Sequence, residues 1–103
     1  MRHIRMSKYA AERIPLIVNM LNRCGAGETL SSATVSVTVG TGTDATPGAI
    51  LDGPATIVNG QEVKQYLIGG LPGVTYNLQV AATTNLGSIY IDRVVIAIFP
   101  TVT

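Results

Sequence analysis

The chain is poor in the side chains from which most enzymatic and metal sites are built. Its 103 residues include one histidine, one cysteine, one phenylalanine and no tryptophan. A single cysteine, Cys24, excludes a disulfide within the chain. A single histidine, His3, cannot supply the paired ligands of the usual zinc sites. We therefore expect no catalytic residue, no cofactor and no bound metal, and we do not expect an enzyme.

The acidic residues leave two alternatives open. Five of the six carboxylates are scattered along the chain: Glu28, Asp44, Asp52, Glu62 and Asp92. Two carboxylates that met in space would resemble the acid pair of a glycoside hydrolase. Asp44 and Asp52, together with loop carbonyls, would give a calcium site, although the sequence lacks the dense Asp/Asn loop that such sites use.

Charge is scarce as well. Charged residues make up 13% of the chain, about half the usual share, and the net charge is +1. This balance argues against a general nucleic-acid-binding protein. No run approaches the roughly 18–20 apolar residues of a membrane helix. We therefore expect neither nucleic acid nor membrane as a partner, and a surface covered by Thr, Ser and Asn or by another protein.

The few charges are unevenly placed. Within the first 24 residues five basic side chains face only one acid, Glu12. We interpret residues 1–11 as a basic N-terminal arm, extended or loosely helical, and residues 12–103 as one folded domain. The arm is either solvated, docked on an acidic neighbour, or in contact with phosphate. The candidate partner contacts are Arg2, Arg5, Lys8, Tyr9 and Tyr90.

The chain is rich in alternating patterns, and the clearest lies in residues 71–82, Leu-Pro-Gly-Val-Thr-Tyr-Asn-Leu-Gln-Val-Ala-Ala. The apolar side chains that fall on one face are those of Val74, Tyr76, Leu78, Val80 and Ala82. Period-2 alternation predicts a half-buried strand. A tyrosine soon after a Leu-Pro-Gly turn also resembles the tyrosine corner of immunoglobulin-like sandwiches. We predict that Leu71 and Tyr76 anchor the fold, with the Tyr76 hydroxyl bound to turn backbone near Leu71 or Pro72.

Other segments predict about six further strands. Residues 12–22 alternate, and Pro15 places that strand at an edge or at a strand start. Residues 30–39 alternate cleanly, residues 49–51 suggest a short strand before an Asp52-Gly53-Pro54 turn, and Asn59-Gly60 predicts a hairpin. Residues 94–98 are uniformly apolar, which predicts burial on both faces or cover by another chain. The whole pattern predicts an all-β antiparallel sandwich, with a small barrel as the alternative.

Three stretches, residues 27–37, 69–78 and 82–87, resemble the small immunoglobulin-like structural proteins of tailed bacteriophages. These are fibre–tail adaptors or head–tail connector-region proteins, and the resemblance covers roughly residues 12–98. It implies an immunoglobulin-like, fibronectin III-like β-sandwich of about seven strands. It also implies a non-enzymatic virion protein, assembled in the bacterial host cytoplasm and present in many copies as a ring. Its partners would be tail tube, neck or portal-region proteins and fibres.

The alternative function is an extracellular adhesive or carbohydrate-binding module of a bacterial protein. Such modules stack sugars on aromatic side chains, and aromatic residues make up only 5% of this chain.

Overall fold

Alternating β-branched and polar residues fold most of the chain into strands. The structure is a computed structural model that describes residues 2–20 and 23–99. Its strands are β1 (Arg2–Lys8), β2 (Ile14–Asn19), β3 (Leu30–Thr41), β4 (Leu51–Val58), β5 (Glu62–Leu67), β6 (Thr75–Thr84) and β7 (Ile89–Ile98). A short 3-10 helix, Pro47–Ile50, precedes β4. No helix in this described part of the chain is long and apolar enough to cross a membrane.

The strands form two sheets that face each other as a sandwich. One sheet has the order β1-β7-β6-β3 and the other the order β2-β5-β4. The prediction of an all-β sandwich is confirmed, while its immunoglobulin-like form stays a prediction. One strand pair departs from the antiparallel expectation, because β1 runs parallel to β7. The two strands lie at opposite ends of the sequence, so no tight hairpin forces them to be antiparallel.

Residues 2–8 of the predicted arm are strand β1. Ile4 and Met6 point toward the core and are half-buried, whereas His3, Arg5 and Ser7 point outward and are exposed. This segment of the arm is therefore ordered as an edge strand of the larger sheet. The division of the chain at residues 11 and 12 stays a prediction.

Two local signals are confirmed. Pro15 lies in β2, which is an edge strand of the smaller sheet. Asn59 and Gly60 join β4 to β5 with positive φ angles of 54° and 67°, as a tight hairpin turn requires.

The prediction for residues 49–54 is wrong. Ala49 and Ile50 belong to the 3-10 helix, which begins at Pro47. Gly53 and Pro54 lie inside β4, where the register with β5 is interrupted between Asp52 and Thr56. An edge strand tolerates proline and an irregularity of this kind because its outer side has no ladder to break.

The core between the sheets is almost entirely aliphatic. Its buried apolar side chains are those of Leu16, Val18, Met20, Leu30, Ile50, Val63, Leu67, Val74, Tyr76, Leu78, Val80, Ala82, Val94, Ile96 and Ile98. The predicted core face of β6 is confirmed in full. The apolar segment 94–98 is fully buried on one face only, since Val95 is half-buried and Ala97 is exposed. Strand β1, from the same chain, covers the edge of β7.

Candidate interaction surfaces

The residues that the structure describes contain no group of three or more His, Cys, Asp or Glu side chains placed to hold a metal ion. The two carboxylates of the calcium alternative already have partners within the chain. Asp44 accepts hydrogen bonds from Tyr76 and from the Thr46 N–H, and Asp52 forms an ion pair with Arg13.

The predicted corner around Tyr76 has a defined geometry. The Leu71 N–H donates to the Tyr76 hydroxyl at 3.0 Å, and that hydroxyl donates to Asp44 Oδ2 at 2.6 Å. The pKa of Asp44 is below its ordinary value, chiefly because the Tyr76 hydroxyl donates to it. Burial and the same bond raise the pKa of Tyr76. One phenol thus joins the turn before β6 to the loop after β3, while the Leu71 side chain is exposed.

Tyr76→Phe should lower the free energy of unfolding by about 1–2 kcal/mol, because the Leu71 N–H and Asp44 both lose a partner. Chemical denaturation measures the loss, and binding to partners should be unchanged. Tyr9→Phe is the matched control, since Tyr9 is exposed, and it should change stability by less than about 0.5 kcal/mol. Equal stability of the two variants, or a fully stable Tyr76→Phe protein that no longer binds, would contradict the anchoring role.

Lys8 is buried, with 1% of its surface exposed. Its ammonium donates to the carbonyls of Tyr9 and Gly69. Burial lowers the pKa of Lys8, against the opposing effect of the Glu12 charge. The Lys8 side chain therefore makes its contacts inside the chain, and it is not exposed for a partner as the sequence predicted.

Exposed apolar side chains gather where β1 and β7 end. The rings of Tyr9 and Phe99 lie 4.6 Å apart between centroids. The turn that carries Leu71 is bonded to the end of β7, since the Gly73 N–H donates to the Ile98 carbonyl. Tyr9, Leu71 and Phe99 are all exposed, and we call these three residues the Tyr9 end.

A second exposed pair lies at the start of β7. Leu86 and Ile89 have 67% and 64% of their surface exposed, and we call them the Leu86 end. Beside them the Tyr90 hydroxyl donates to Glu28 Oε1 at 2.9 Å. The pKa of Glu28 is lowered, first by the Gly25 N–H and then by hydroxyls that include that of Tyr90. Tyr90 is half-buried, so only part of its surface remains for a partner.

The two ends are far apart. Ile89 at one end and Phe99 at the other are ten positions apart along and just beyond β7, which is about 33 Å of extended strand. The molecule measures 48 × 20 × 20 Å along its principal axes. It is a short rod with exposed apolar side chains at both ends.

The outer face of the four-stranded sheet is polar and basic. In register across the sheet lie His3, Arg93, Gln79 and Ser36, and Arg5 is exposed one step along β1. Strand register places no acidic side chain on the described part of this face. The backbone of Arg2 belongs to β1, but the side chain of that predicted contact lies outside the described residues.

The outer face of the three-stranded sheet carries both basic and acidic side chains, and two of them form an ion pair. The Arg13 guanidinium lies 3.9 Å from the centre of the Tyr66 ring and pairs with Asp52. Ile17 is exposed on the same face. Tyr66 is thus covered on one side by a cation.

Sequence reasoning missed one buried ion pair. Arg23 Nη2 lies 2.6 Å from Asp92 Oδ1, and the Asp92 side chain has no exposed surface. A second Arg23 nitrogen donates to the Ile91 carbonyl. The two residues are 69 positions apart, and only a charge in the middle of an apolar strand marks Asp92 in the sequence.

Comparison with known proteins gives three findings. The family model described as podophage GP4 fiber-tail adaptor protein gp77 matches residues 8–97. No curated protein matches the chain. Among solved structures, a 2,6-sialyltransferase from Photobacterium sp. JT-ISH-224 superposes with a TM-score of 0.58 at 15% identity. That match covers 95% of this chain but 17% of the enzyme, so it reports a shared fold alone.

Proposed function

Because the chain belongs to the podophage GP4 fibre–tail adaptor family, we propose that it joins the tail or neck of a virion to its fibres by protein–protein contacts alone. A structural adaptor of a phage is a virion protein. We further propose that it assembles with its neighbours in the host cytoplasm. Its partners would be tail-tube, neck or portal-region proteins on one side and fibres on the other.

The observation that carries this proposal is the placement of exposed apolar side chains at both ends of a rod. An adaptor needs two separate surfaces, and the Tyr9 end and the Leu86 end are separated by the length of β7. Large exposed apolar residues that gather in one place mark interaction sites more often than scattered ones do.

We also propose that several copies surround the tail or neck as a ring. Repeated heterologous contacts between identical subunits close into rings, and a rod with unlike ends and unlike faces offers such contacts. Particle images with countable adaptor densities would test the copy number.

The carbohydrate-binding alternative gains no support from the tyrosines. Tyr76 is buried, Tyr90 is half-buried with its hydroxyl on Glu28, and Tyr66 is covered by Arg13. Tyr9 is exposed, but its ring packs on Phe99. A flat, open aromatic platform for a sugar ring is absent from these four side chains.

Polar substitutions at the two ends should show which end attaches to the tail or neck and which end attaches to the fibres. One double variant is Leu86→Ser with Ile89→Thr, and the other is Tyr9→Ser with Phe99→Ser. We expect purified particles made with one of these two variants to lack the adaptor. The other should keep the adaptor but lose the fibres. Quantitative protein analysis and electron microscopy of particles from complemented infections measure both outcomes.

Ile17→Ser is the matched control, because Ile17 is 51% exposed but lies on a sheet face away from both ends. It should leave adaptor and fibre content unchanged. Thermal unfolding of each variant excludes misfolding as the cause. Folded end variants that give particles with full adaptor and fibre content would overturn the assignment of the two ends as the attachment surfaces.

A further inference from the structure

We propose that the free edge of β1 binds an extended acidic segment of a neighbouring protein by strand addition. This inference rests on the proposed adaptor function, for which it names one mode of attachment. It concerns a surface separate from the two apolar ends.

Of the four sheet edges in the described chain, β1 is the one best suited to receive a strand. β2 carries Pro15, and β4 carries Pro54 within an interrupted register. Strand β3, the third of these edges, has β4 and the 3-10 helix beside it. β1 has seven residues without proline or glycine, pairs regularly with β7, and has β7 as its main neighbour. Backbone groups on its other side form a row open to pairing.

The side chains of β1 specify the character of the added strand. Ile4 and Met6 pack against the core yet remain half-buried, because β1 is the edge strand of this sheet in the described part of the chain. A strand laid along this edge would cover them with apolar residues at alternate positions. The other positions of the added strand would lie beside His3 and Arg5 on the outer face.

Charge selects the partner. Arg93 lies opposite His3 in register, and Arg5 lies beside Val95. The described part of this outer face carries no acid, so carboxylates on the incoming strand would meet only basic and neutral groups. A second copy of β1 in antiparallel pairing would bring like charges together, which is unfavourable. The basic edge therefore favours an acidic segment and disfavours pairing with itself.

The first test is an NMR titration of the full chain with a seven-residue peptide of alternating Glu and Val. We expect shifts confined to the amides of β1 and its neighbours on β7, and slowed hydrogen exchange in β1. The double variant Arg5→Gln with Arg93→Gln should weaken binding at least fivefold. Lys64→Gln, which removes a charge from the other sheet, should leave binding unchanged.

Several results would overturn the inference. An alternating Lys–Val peptide that binds equally well would exclude charge selection. Shifts outside the β1 edge, or no binding at millimolar peptide, would exclude strand addition there. A dimer held by β1, detected by analytical ultracentrifugation and lost in the double variant, would make a second copy the occupant.

The adaptor and fibre content of purified particles distinguishes failure of this inference from failure of the proposed adaptor function. If the end variants lose fibres or adaptor while Arg5→Gln with Arg93→Gln assembles normally, the adaptor role holds and the β1 edge is not used. If neither set affects assembly, the proposed function itself is wrong.

Discussion

Arg23→Met should lower the free energy of unfolding by about 3–5 kcal/mol. The substitution keeps most of the apolar stem but removes the guanidinium that lies 2.6 Å from the fully buried Asp92 carboxylate. A carboxylate inside an aliphatic core loses its hydration on folding, and removing the Arg23 guanidinium takes away the counter-charge that helps to offset that cost. Urea denaturation followed by circular dichroism measures the loss.

Two further variants isolate the cause. Arg13→Met removes the guanidinium of an ion pair whose side chains are exposed, so its effect should be much smaller because water screens such pairs. Arg23→Met combined with Asp92→Leu should be more stable than Arg23→Met alone, since the buried carboxylate is then removed together with its counter-charge. Equal losses of unfolding free energy for Arg23→Met and Arg13→Met would show that the buried pair stabilises the fold no more than the exposed pair does.

Sequence reasoning succeeded where the signal is local. The alternation in residues 74–82 predicts the buried face of β6 because neighbouring side chains on a strand point to opposite faces. Asn59-Gly60 predicts its hairpin because both residues accept positive φ angles. Pro15 predicts an edge strand because it cannot donate to a second ladder. Each of these inferences needs only residues close together in the chain.

Sequence reasoning failed where the signal depends on distant partners. The segment 2–8 carries several charges and only two apolar side chains, so the sequence alone does not indicate a strand, and its pairing with β7 is what makes it one. Lys8 and Asp92 both look like surface residues, yet both are buried by contacts across more than 60 positions. A carbonyl or a counter-charge that far away leaves no mark on the local pattern.

The candidate contacts follow the same division. Arg5 and Tyr9 are exposed in the structure. Their role in binding stays a prediction, as does that of Tyr90. The Leu86 end is not among the predicted contacts, because one leucine in a turn does not by itself predict an interaction surface. Its significance appears only when β7 places Ile89 beside it at one end of a rod.

Gly70→Ala should also be strongly destabilising, by about 3 kcal/mol. Gly70 has a φ angle of +100°, a region that residues with a side chain rarely adopt. A Cβ at this position would lie 2.8 Å from Ile98 Cδ1 and 2.9 Å from Ile98 Cγ1. Ile98 is buried at the end of β7, so it has little room to move away. Thermal and chemical unfolding measure the effect.

Gly69→Ala is the control that measures the cost of placing a side chain at a positive φ angle without a steric clash. Gly69 has a φ angle of +66°, and a Cβ there would meet no atom within 4 Å, so its cost should be about 1 kcal/mol. Combining Gly70→Ala with Ile98→Val removes the nearest carbon, Cδ1, and should recover part of the steric loss but none of the backbone strain. If Gly70→Ala costs no more than Gly69→Ala, the close approach of Ile98 is not what requires glycine. The turn that positions Leu71 for Tyr76 would then tolerate a side chain, and the corner would depend on its hydrogen bonds alone.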